Sequence, residues 1–417
     1  MAKDVHPPRG MRDFLPLEKT RRDQVLTTIR ETYLGHGFQE IETPALEDLE
    51  RLTSGQGGDN EKLAFRVMKR GAELDSAAAK LNEMRLTDDS GIDNFADLGL
   101  RYDLTVPLTR YYATNRAKLP TVFKALQTGP VWRAERPQKG RYRQFVQCDI
   151  DIIGDASILA EIELLNASLD ALTAIGLDDA TIRVNHRVLL ANLLEQLGVP
   201  EAGKGSAMIT IDKLDKIAAE GVVAELAEKF DAAVAERAAA WLNAIAGDLP
   251  IPAELQEIFS AIEARFGAGR LRFDPTLVRG MGYYTGTIFE IEHPESGSSI
   301  GGGGRYDGMV GRWLGTDAPA VGISIGFERA VDLVEAKADN SKALVLVLDS
   351  AAPSVIGNAL NIQQQAIEAG YRVRLEQRPK KLNNLLDSMA EQGFGSFATV
   401  GEEFVNFADL SLRNIAN

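Results

Sequence analysis

The stretch FVQCDIDII, residues 145–153, decides the fold of this chain. Successive side chains on a strand point to opposite faces, so the alternation of apolar and polar residues predicts one strand with two unlike faces. The apolar face comprises Val146, Cys148, Ile150 and Ile152. The polar face comprises Phe145, Gln147, Asp149 and Asp151. The first face is expected in a core and the second beside a small ligand, although an ordinary half-exposed strand shows the same alternation.

An arginine-rich loop precedes this strand. Residues 133–144, RAERPQKGRYRQ, carry five basic side chains against the single acid Glu135. The planar guanidinium of arginine pairs two phosphate oxygens at once and stays charged at any relevant pH. A loop of this kind beside the polar face predicts a polyphosphate site. The chain has neither GxxxxGKS/T nor a GxGxxG that opens a helix after a strand, which excludes a P-loop or Rossmann site.

Two further stretches place arginines among glycines and aromatic residues. LVRGMGYYTGTIFEIE, residues 277–292, puts Arg279 near two tyrosines, and VGISIGFERA, residues 321–330, puts Arg329 behind a strand of small residues. One arginine beside a strand is usually a salt-bridge partner, whereas several in such surroundings indicate an anion site. The glycine run 301–304 indicates a tight turn or a close approach of two backbones.

Composition indicates a globular protein of two or three domains. The chain has 417 residues, 45% of them hydrophobic, and no apolar run long enough to span a membrane. Its single cysteine excludes a disulfide framework and a cysteine-based zinc site, and its four histidines lack ligand spacing, so no protein-held metal is predicted. The N-terminus resembles neither a secretory signal nor a transit peptide, and we therefore expect a cytoplasmic protein.

The net charge of −14 argues against a nucleic-acid partner, because phosphate binding favours a basic surface. Local charge differs from the total, since residues 372–381 form a second basic stripe besides residues 133–144. An acidic protein with two basic segments suits a partner that contacts it in two places. Two basic segments that are merely exposed to solvent would give the same charge pattern.

Periodicity divides the chain into segments. Residues 19–35 predict an amphipathic helix, and residues 69–97 predict an irregular insertion with room for a short helix. An alanine- and leucine-rich block at about 190–268 predicts an inserted helical region. A charged linker is expected at 331–342, and residues 343–417 alternate β-α-β-α-β, which predicts a small α/β domain.

Several motifs together resemble those of class II aminoacyl-tRNA synthetases, and within that class the histidyl-tRNA synthetase family. The resemblance covers nearly the whole chain, and the motifs occur in the family's order. They are PPRGMRDFLP (7–16), GFQEIETPALE (37–47, ending the dimer-interface motif at Pro44), RYDLTVPLTRY (101–111), GPVWRAERPQKGRYRQF (129–145), LVRGMGYYTG (277–286) and VGISIGFERA (321–330).

The resemblance implies an α+β fold in which an antiparallel sheet is flanked by helices. Periodicity alone does not show that the sheet is antiparallel. A class II catalytic domain is expected at 1–330, with the helical insertion at about 190–268. A C-terminal α/β anticodon-binding domain is expected at 343–417, with its last strand or helix reduced.

The resemblance also implies ATP-dependent ligation of L-histidine to tRNA(His) through a histidyl adenylate. Arg133 and Arg279 would be catalytic and contact the α-phosphate from two sides, Arg279 standing where other class II enzymes often use magnesium. Arg133 would also hold the amino-acid carboxylate. Magnesium is expected only with the ATP, bridging its outer phosphates. The remaining ATP-binding residues would be Glu135, Arg141, Phe145 under the adenine, and Arg329 at the γ-phosphate.

Histidine selection is implied for a further set of side chains, with Arg133 and Arg279 included. These are Asp103, Thr105, Gln147, Asp151, Tyr283, Tyr284 and Tyr306. Acidic groups would hold the α-ammonium, and tyrosine hydroxyls with a carboxylate would satisfy the imidazole nitrogens. Arg136 and Gln138 would approach the tRNA acceptor end, and a homodimer is expected.

Two positions depart from the family's usual pattern. Gly282 stands where family members commonly have aspartate, which puts tight histidine binding in doubt. Val146 stands where many have histidine or tyrosine, a benign change if its side chain faces the core.

Other functions remain open. A catalytically inactive paralogue that regulates histidine biosynthesis would lack the anticodon domain and the nucleotide arginines, whereas Arg133, Arg279 and Arg329 are all present. A synthetase-like sensor of uncharged tRNA would need an extra effector domain. A synthetase for threonine, proline or glycine is disfavoured by YYTG (283–286) and by the segment around Asp103.

Overall fold

The structure is a computed structural model that describes residues 5–53, 63–81, 95–138, 140–245, 247, 249–279, 283–335 and 342–415. The chain forms two compact units, one of residues 1–13 and 25–334, the other of residues 14–24 and 335–417. Among the described residues, no helix has the length and apolar character needed to cross a membrane.

The described strands are numbered in chain order. They are β1 Gln39–Glu40, β2 Leu46–Asp48, β3 Phe65–Met68, β4 Ala96–Leu100, β5 Phe123–Trp132, β6 Gln144–Ile153, β7 Thr181–His186, β8 Leu271–Phe273, β9 Thr287–Glu292, β10 Gly301–Arg305, β11 Ala320–Gly326, β12 Ala343–Leu348, β13 Arg372–Gln377, β14 Ser396–Val400 and β15 Arg413–Asn414.

The first unit is built on an eight-stranded sheet with the order β1-β5-β6-β11-β10-β9-β7-β8. Its pairs are antiparallel except β1 with β5 and β7 with β8. The α+β fold with a largely antiparallel sheet is therefore confirmed. A three-stranded sheet, β2-β4-β3, belongs to the same unit.

The central strand β6 has the two faces that its alternation predicts. Cys148, Ile150 and Ile152 are fully buried in the main core, and Val146 packs against that core. The opposite face lines a cavity. The free thiol of Cys148 is therefore a core group, and the replacement at Val146 lies on the core side, as predicted.

Helices cover the core side of this sheet. Val25, Ile29 and Tyr33 of the first helix are buried in the main core, together with Leu164 and other residues of helix Leu159–Ala174. Apart from the helices at 187–266, the other described α-helices of the unit are Leu49–Leu52, Ala72–Leu81, Thr105–Asn115, Asp307–Leu314 and Phe327–Leu333. The first helix itself runs Pro16–Gly35. Helix Ala72–Leu81 falls in the predicted irregular insertion, and residues 82–94 of that insertion lie outside the described residues.

The predicted block at about 190–268 is helical. Its helices are Arg187–Gln196, Lys204–Ile211, Leu214–Lys229, Ala232–Ala244 and Gln256–Phe266, with 3-10 turns at Glu201–Gly203 and Ala253–Leu255. They divide between two cores. Leu194, Val222 and Ala238 belong to a second cluster, which also contains Ile288 of β9, whereas Ile258 and Phe259 of the last helix pack in the main core of the sheet.

The second unit contains the sheet β13-β12-β14-β15, in which β12 pairs in parallel with β13 and β14. Helices Pro353–Glu368 and Leu382–Glu391 complete the predicted alternation. Helix Phe327–Leu333 of the first unit occupies the start of the predicted linker 331–342, and residues 336–341 lie outside the described residues. The domain boundaries at 330 and 343 remain a prediction.

Candidate active site

A cavity of about 430 Å³ opens on the polar face of β6. Its wall includes all the residues predicted to bind ATP or histidine: Asp103, Thr105, Arg133, Glu135, Arg141, Phe145, Gln147, Asp151, Arg279, Tyr283, Tyr284, Tyr306 and Arg329. These side chains come from five separate segments of the chain. The sheet brings them to one place because β11 lies beside β6 and β10 beside β11.

The glycine run 301–304 forms strand β10 and makes room for this cavity. A Cβ at Gly303 would collide with the backbone of β11, and one at Gly302 would collide with the guanidinium of Arg279. The close backbone approach expected from the sequence is therefore confirmed. Gly322 on β11 has a related role, since a Cβ there would collide with Oδ1 of Asp151.

One end of the cavity holds a buried carboxylate and three tyrosines. Tyr306 Oη donates to Asp151 Oδ1 at 2.6 Å. Burial raises the pKa of Asp151 to about 7, while the hydrogen bond from Tyr306 opposes the rise. Tyr283 and Tyr284 lie edge to face with ring centroids 4.4 Å apart. This end offers both donors and acceptors to a small polar side chain.

The Gln147 amide has a defined orientation. Its Nε2 donates to Ser324 Oγ at 3.2 Å and to Asp149 Oδ2 at 3.4 Å. Its Oε1 is buried and has no hydrogen-bond partner among the described residues. An oxygen in this position is an acceptor for a cationic group of a ligand.

Asp149 is a site residue for which sequence reasoning assigned no role. It lines the cavity and is buried, and burial followed by the charge of Asp151 raises its pKa well above the usual value. Ser299, Ser324 and Glu328 also line the cavity without having been predicted. The alternation of polar and apolar residues in β6 already predicted that Asp149 lies on the polar face. For Ser299, Ser324 and Glu328 the sequence analysis had no such indication.

Backbone groups position the side chains at the cavity mouth. Asp103 Oδ1 accepts from the backbone N–H of Val106 at 3.0 Å, at the start of helix Thr105–Asn115. Arg133 Nε donates to the carbonyl oxygen of Tyr102 at 3.0 Å, and its guanidinium lies 5.0 Å from the ring centroid of Phe145. Arg133 therefore lies between the aspartate segment and the aromatic ring.

The other end of the cavity is rich in arginine. Arg329 Nε donates to the carbonyl oxygen of Gly140 at 3.3 Å. Burial lowers the pKa of Arg329, and the charges of Arg141 and Arg279 lower it further. The only acids that line this end within the described part of the chain are Glu135, 3.7 Å from Arg141, and Glu328, which pairs with Arg12. Mutually repelling guanidinium groups indicate a site for a polyanion.

Two predicted positions do not line the cavity, and a third lies outside the described residues. Arg136 and Gln138 lie in the loop before β6 but do not line the cavity, and Gln138 exchanges backbone hydrogen bonds with Arg141 at 2.9 and 3.2 Å. Gly282 lies outside the described residues, so the effect of its departure from the family pattern remains a prediction. Within the described residues, no group of three or more His, Cys, Asp or Glu side chains could hold a metal ion.

The antiparallel sheet and its arginine-lined cavity have the architecture of a class II aminoacyl-tRNA synthetase catalytic domain. The family described as Histidyl-tRNA synthetase matches residues 10–78 and 72–330. The histidine–tRNA ligase of Leifsonia xyli subsp. xyli is 54% identical over 96% of both chains. The probable histidine–tRNA ligase of Tropheryma whipplei is 42% identical over 94% of this chain and 95% of its own. The chain belongs to the histidyl-tRNA synthetase family.

Solved structures have the same fold. A histidyl-tRNA synthetase from Nostoc sp. PCC 7120 superposes with a TM-score of 0.76 at 25% identity, over 99% of this chain and 95% of its own. A Bacillus halodurans C protein, described as an ATP phosphoribosyltransferase regulatory subunit/histidyl-tRNA synthetase, gives a TM-score of 0.69 at 19% identity, over 97% and 99% of the two chains. The second likeness shows the fold alone.

Proposed function

We propose that this chain ligates L-histidine to tRNA(His), using ATP and forming a histidyl adenylate. The proposal rests on one observation: a tyrosine- and carboxylate-lined end and an arginine-lined end adjoin in the same cavity. The first end suits a small polar amino acid and the second a polyphosphate. Relatives named histidine–tRNA ligase, similar along nearly the whole chain, support the same reaction.

In the first step a carboxylate oxygen of histidine attacks the α-phosphorus of ATP, and pyrophosphate leaves. Such a step needs alignment and stabilisation of spread negative charge more than covalent chemistry. We assign that work to Arg133 and Arg279. Arg329 would hold the γ-phosphate, and Phe145 would stack against the adenine. Arg141 and Glu135 would complete the nucleotide site.

A magnesium ion would arrive with the ATP and neutralise charge on its outer phosphates. The described residues contain no acidic cluster that could hold such an ion without the nucleotide. Glu135, which lines the arginine-rich end of the cavity, would be the residue available to hold such an ion beside the nucleotide.

Histidine would be selected by polar groups at the other end. Asp103, Thr105 and the Oε1 of Gln147 would hold the α-ammonium, and Asp151 with Tyr283, Tyr284 and Tyr306 would satisfy the imidazole nitrogens. A buried site built for a polar side chain rejects apolar analogues by roughly 10⁴-fold, because its own polar groups are then left unpaired. Such a site discriminates without a separate editing step.

In the second step the terminal ribose hydroxyl of the tRNA attacks the adenylate. Arg136 and Gln138 lie beside the cavity rather than in it, as suits contacts with the acceptor end. We assign anticodon binding to the C-terminal α/β unit and expect a homodimer, both on the family resemblance, and we expect a cytoplasmic location from the sequence. The rival reading, a regulator of histidine biosynthesis, is disfavoured because Arg133, Arg279 and Arg329 all line the cavity.

The complete reaction is tested by charging purified tRNA(His) with radiolabelled histidine. Label should become attached to tRNA only when ATP is present, with one AMP formed per histidine attached, and a non-cognate tRNA should remain uncharged. A folded protein that binds histidine but never charges this tRNA would favour the regulatory reading.

A further inference from the structure

Arg279 is held from behind by an acid that lies outside the cavity. Its Nε is 2.5 Å from Glu290 Oε2. On the cavity side, its Nη2 donates to Ser299 Oγ at 3.1 Å and its Nη1 to the carbonyl oxygen of Gly301 at 3.3 Å. Arg279 lines both the main cavity and a second one of about 380 Å³, whereas Glu290 lines the second cavity but not the main one. The carboxylate therefore fixes the guanidinium without itself facing the proposed substrates.

Glu290 is in turn held by a buried arginine. Glu290 on β9 and Arg183 on β7 are directly opposite in the antiparallel register. Arg183 Nη1 donates to Glu290 Oε1 at 2.9 Å. The same guanidinium donates to Glu292 at 3.0 Å and, through Nε, to Asp274 at 2.6 Å. Glu290 thus bridges two arginines with its two oxygens, one on each.

This bridge has a consequence for Arg279. A long arginine side chain has many rotamers, and fixing one of them in advance removes an ordering cost from the reaction. Because the carboxylate of Glu290 pairs with Arg183 as well as with Arg279, its negative charge is divided between the two arginines. Among the described residues, the hydrogen bonds of the Arg279 Nη groups are the two longer ones toward the cavity, so these groups remain placed to meet an anion there.

We infer that Glu290, held by Arg183, is a positioning residue for Arg279, an inference that rests on the proposed function. Arg279 is assigned to the α-phosphate, where charge redistributes in the transition state. Misplacing it should therefore reduce the rate of adenylate formation more than it weakens the binding of ATP or histidine.

Asp274 provides a matched control. Asp274 and Glu290 both pair with Arg183, and their side chains are 14% and 13% exposed. Among the described residues, Glu290 also forms an ion pair with Arg279, whereas Asp274 does not. Asp274→Asn would keep the side-chain oxygen that accepts hydrogen bonds from Thr276. Glu290→Gln likewise keeps the shape of the original side chain. Glu290→Gln and Asp274→Asn therefore remove equivalent charges from Arg183, and only the first disturbs Arg279.

The test is steady-state ATP–pyrophosphate exchange with histidine, together with thermal unfolding, for the wild type and both variants. Glu290→Gln should lower kcat by about 10- to 100-fold while each KM changes by less than about threefold. Asp274→Asn should keep kcat within about twofold, and both variants should lose similar Tm. Equal losses of kcat in the two variants, or an unchanged kcat in Glu290→Gln, would overturn the inference.

Glu290→Asp covers the case in which Glu290→Gln does not fold. It keeps the negative charge but withdraws the carboxylate from both arginines by about one methylene, so Arg279 loses its fixed position and kcat should fall by at least about fivefold. An unchanged kcat in this variant would also overturn the inference. A wild-type chain with no exchange at all would instead overturn the proposed function, and the positioning role with it.

Discussion

Tyr306 donates a hydrogen bond of 2.6 Å to Asp151 across 155 residues of chain, and both side chains are buried. Tyr306 begins the segment after β10, and Asp151 lies on β6, two strands away. Burial raises the pKa of Asp151 to about 7, and the tyrosine hydroxyl restrains that rise. At the amino-acid end of the cavity, Asp151 is therefore a hydrogen-bond acceptor whose ionisation depends on its contact with Tyr306.

Replacing Tyr306 with phenylalanine should weaken histidine recognition. Loss of a hydrogen bond to a charged group costs about 1.5–3 kcal/mol, so the KM for histidine should rise by roughly tenfold or more. The pKa of Asp151 should rise further, and an assay at higher pH should recover part of the loss. Steady-state exchange kinetics provide the measurement. Equal increases in the KM values for ATP and histidine would indicate general damage instead.

The raised pKa of Asp151 predicts a pH-dependent stability difference. The folded protein holds this proton until about pH 7, whereas the unfolded chain releases it near pH 4, so ionisation opposes folding increasingly between those values. Asp151→Asn should therefore gain stability relative to the wild type as pH rises from 4 to 7. At about 1.4 kcal/mol per pKa unit the gain should be on the order of 4 kcal/mol. Tm values at pH 4 and pH 8 measure it, and a pH-independent difference would contradict the assignment.

Gly322→Ala should act on histidine recognition through Asp151. The added Cβ would collide with Oδ1 of Asp151, so this carboxylate must shift. We expect the KM for histidine to rise by about tenfold or more, a larger effect than on the KM for ATP. Gly308→Ala is the control, because a Cβ at Gly308 meets no neighbouring atom and alanine favours its helix. Equal kinetic changes in the two variants would refute the explanation.

Arg329→Ala should affect the nucleotide and spare the amino acid. This arginine lies at the end of the cavity where Arg141 and Arg279 also concentrate positive charge. The Kd for ATP should rise by about tenfold or more, and the Kd for histidine should stay within about twofold. Isothermal titration with ATP and with histidine separates the two. Unchanged affinity for ATP would remove Arg329 from the nucleotide site.

Local patterns predicted much of this architecture. The period-2 alternation of residues 145–153 predicted which side chains of β6 are in the core and which face the cavity, because that period depends only on the strand itself. The β-α-β-α-β order of residues 343–417 predicted the small α/β unit, because the periodicity of each strand and helix is likewise local. The antiparallel pairing of β6 with β11 joins residues about 170 positions apart. Local periodicity contains no information on such a partner, so this pairing rested on the family resemblance.

The candidate site shows the same limit. Arginine, tyrosine and carboxylate residues in recognisable motifs pointed to the wall of the cavity. The hydrogen bonds of the Gln147 amide to Asp149 and Ser324 depend on β6 and β11 lying side by side. The bridge from Arg183 through Glu290 to Arg279 depends on the register of β7 with β9. Contacts that depend on the pairing of strands distant in sequence can be identified only from the structure.

The central claim, that this cavity activates histidine with ATP, is tested most directly by ATP–pyrophosphate exchange. The purified chain should be assayed without tRNA against each of the twenty amino acids. We predict exchange with histidine alone. Exchange with a different amino acid would contradict the assigned specificity, and a folded protein that exchanges with none of the twenty would contradict the ligase function itself.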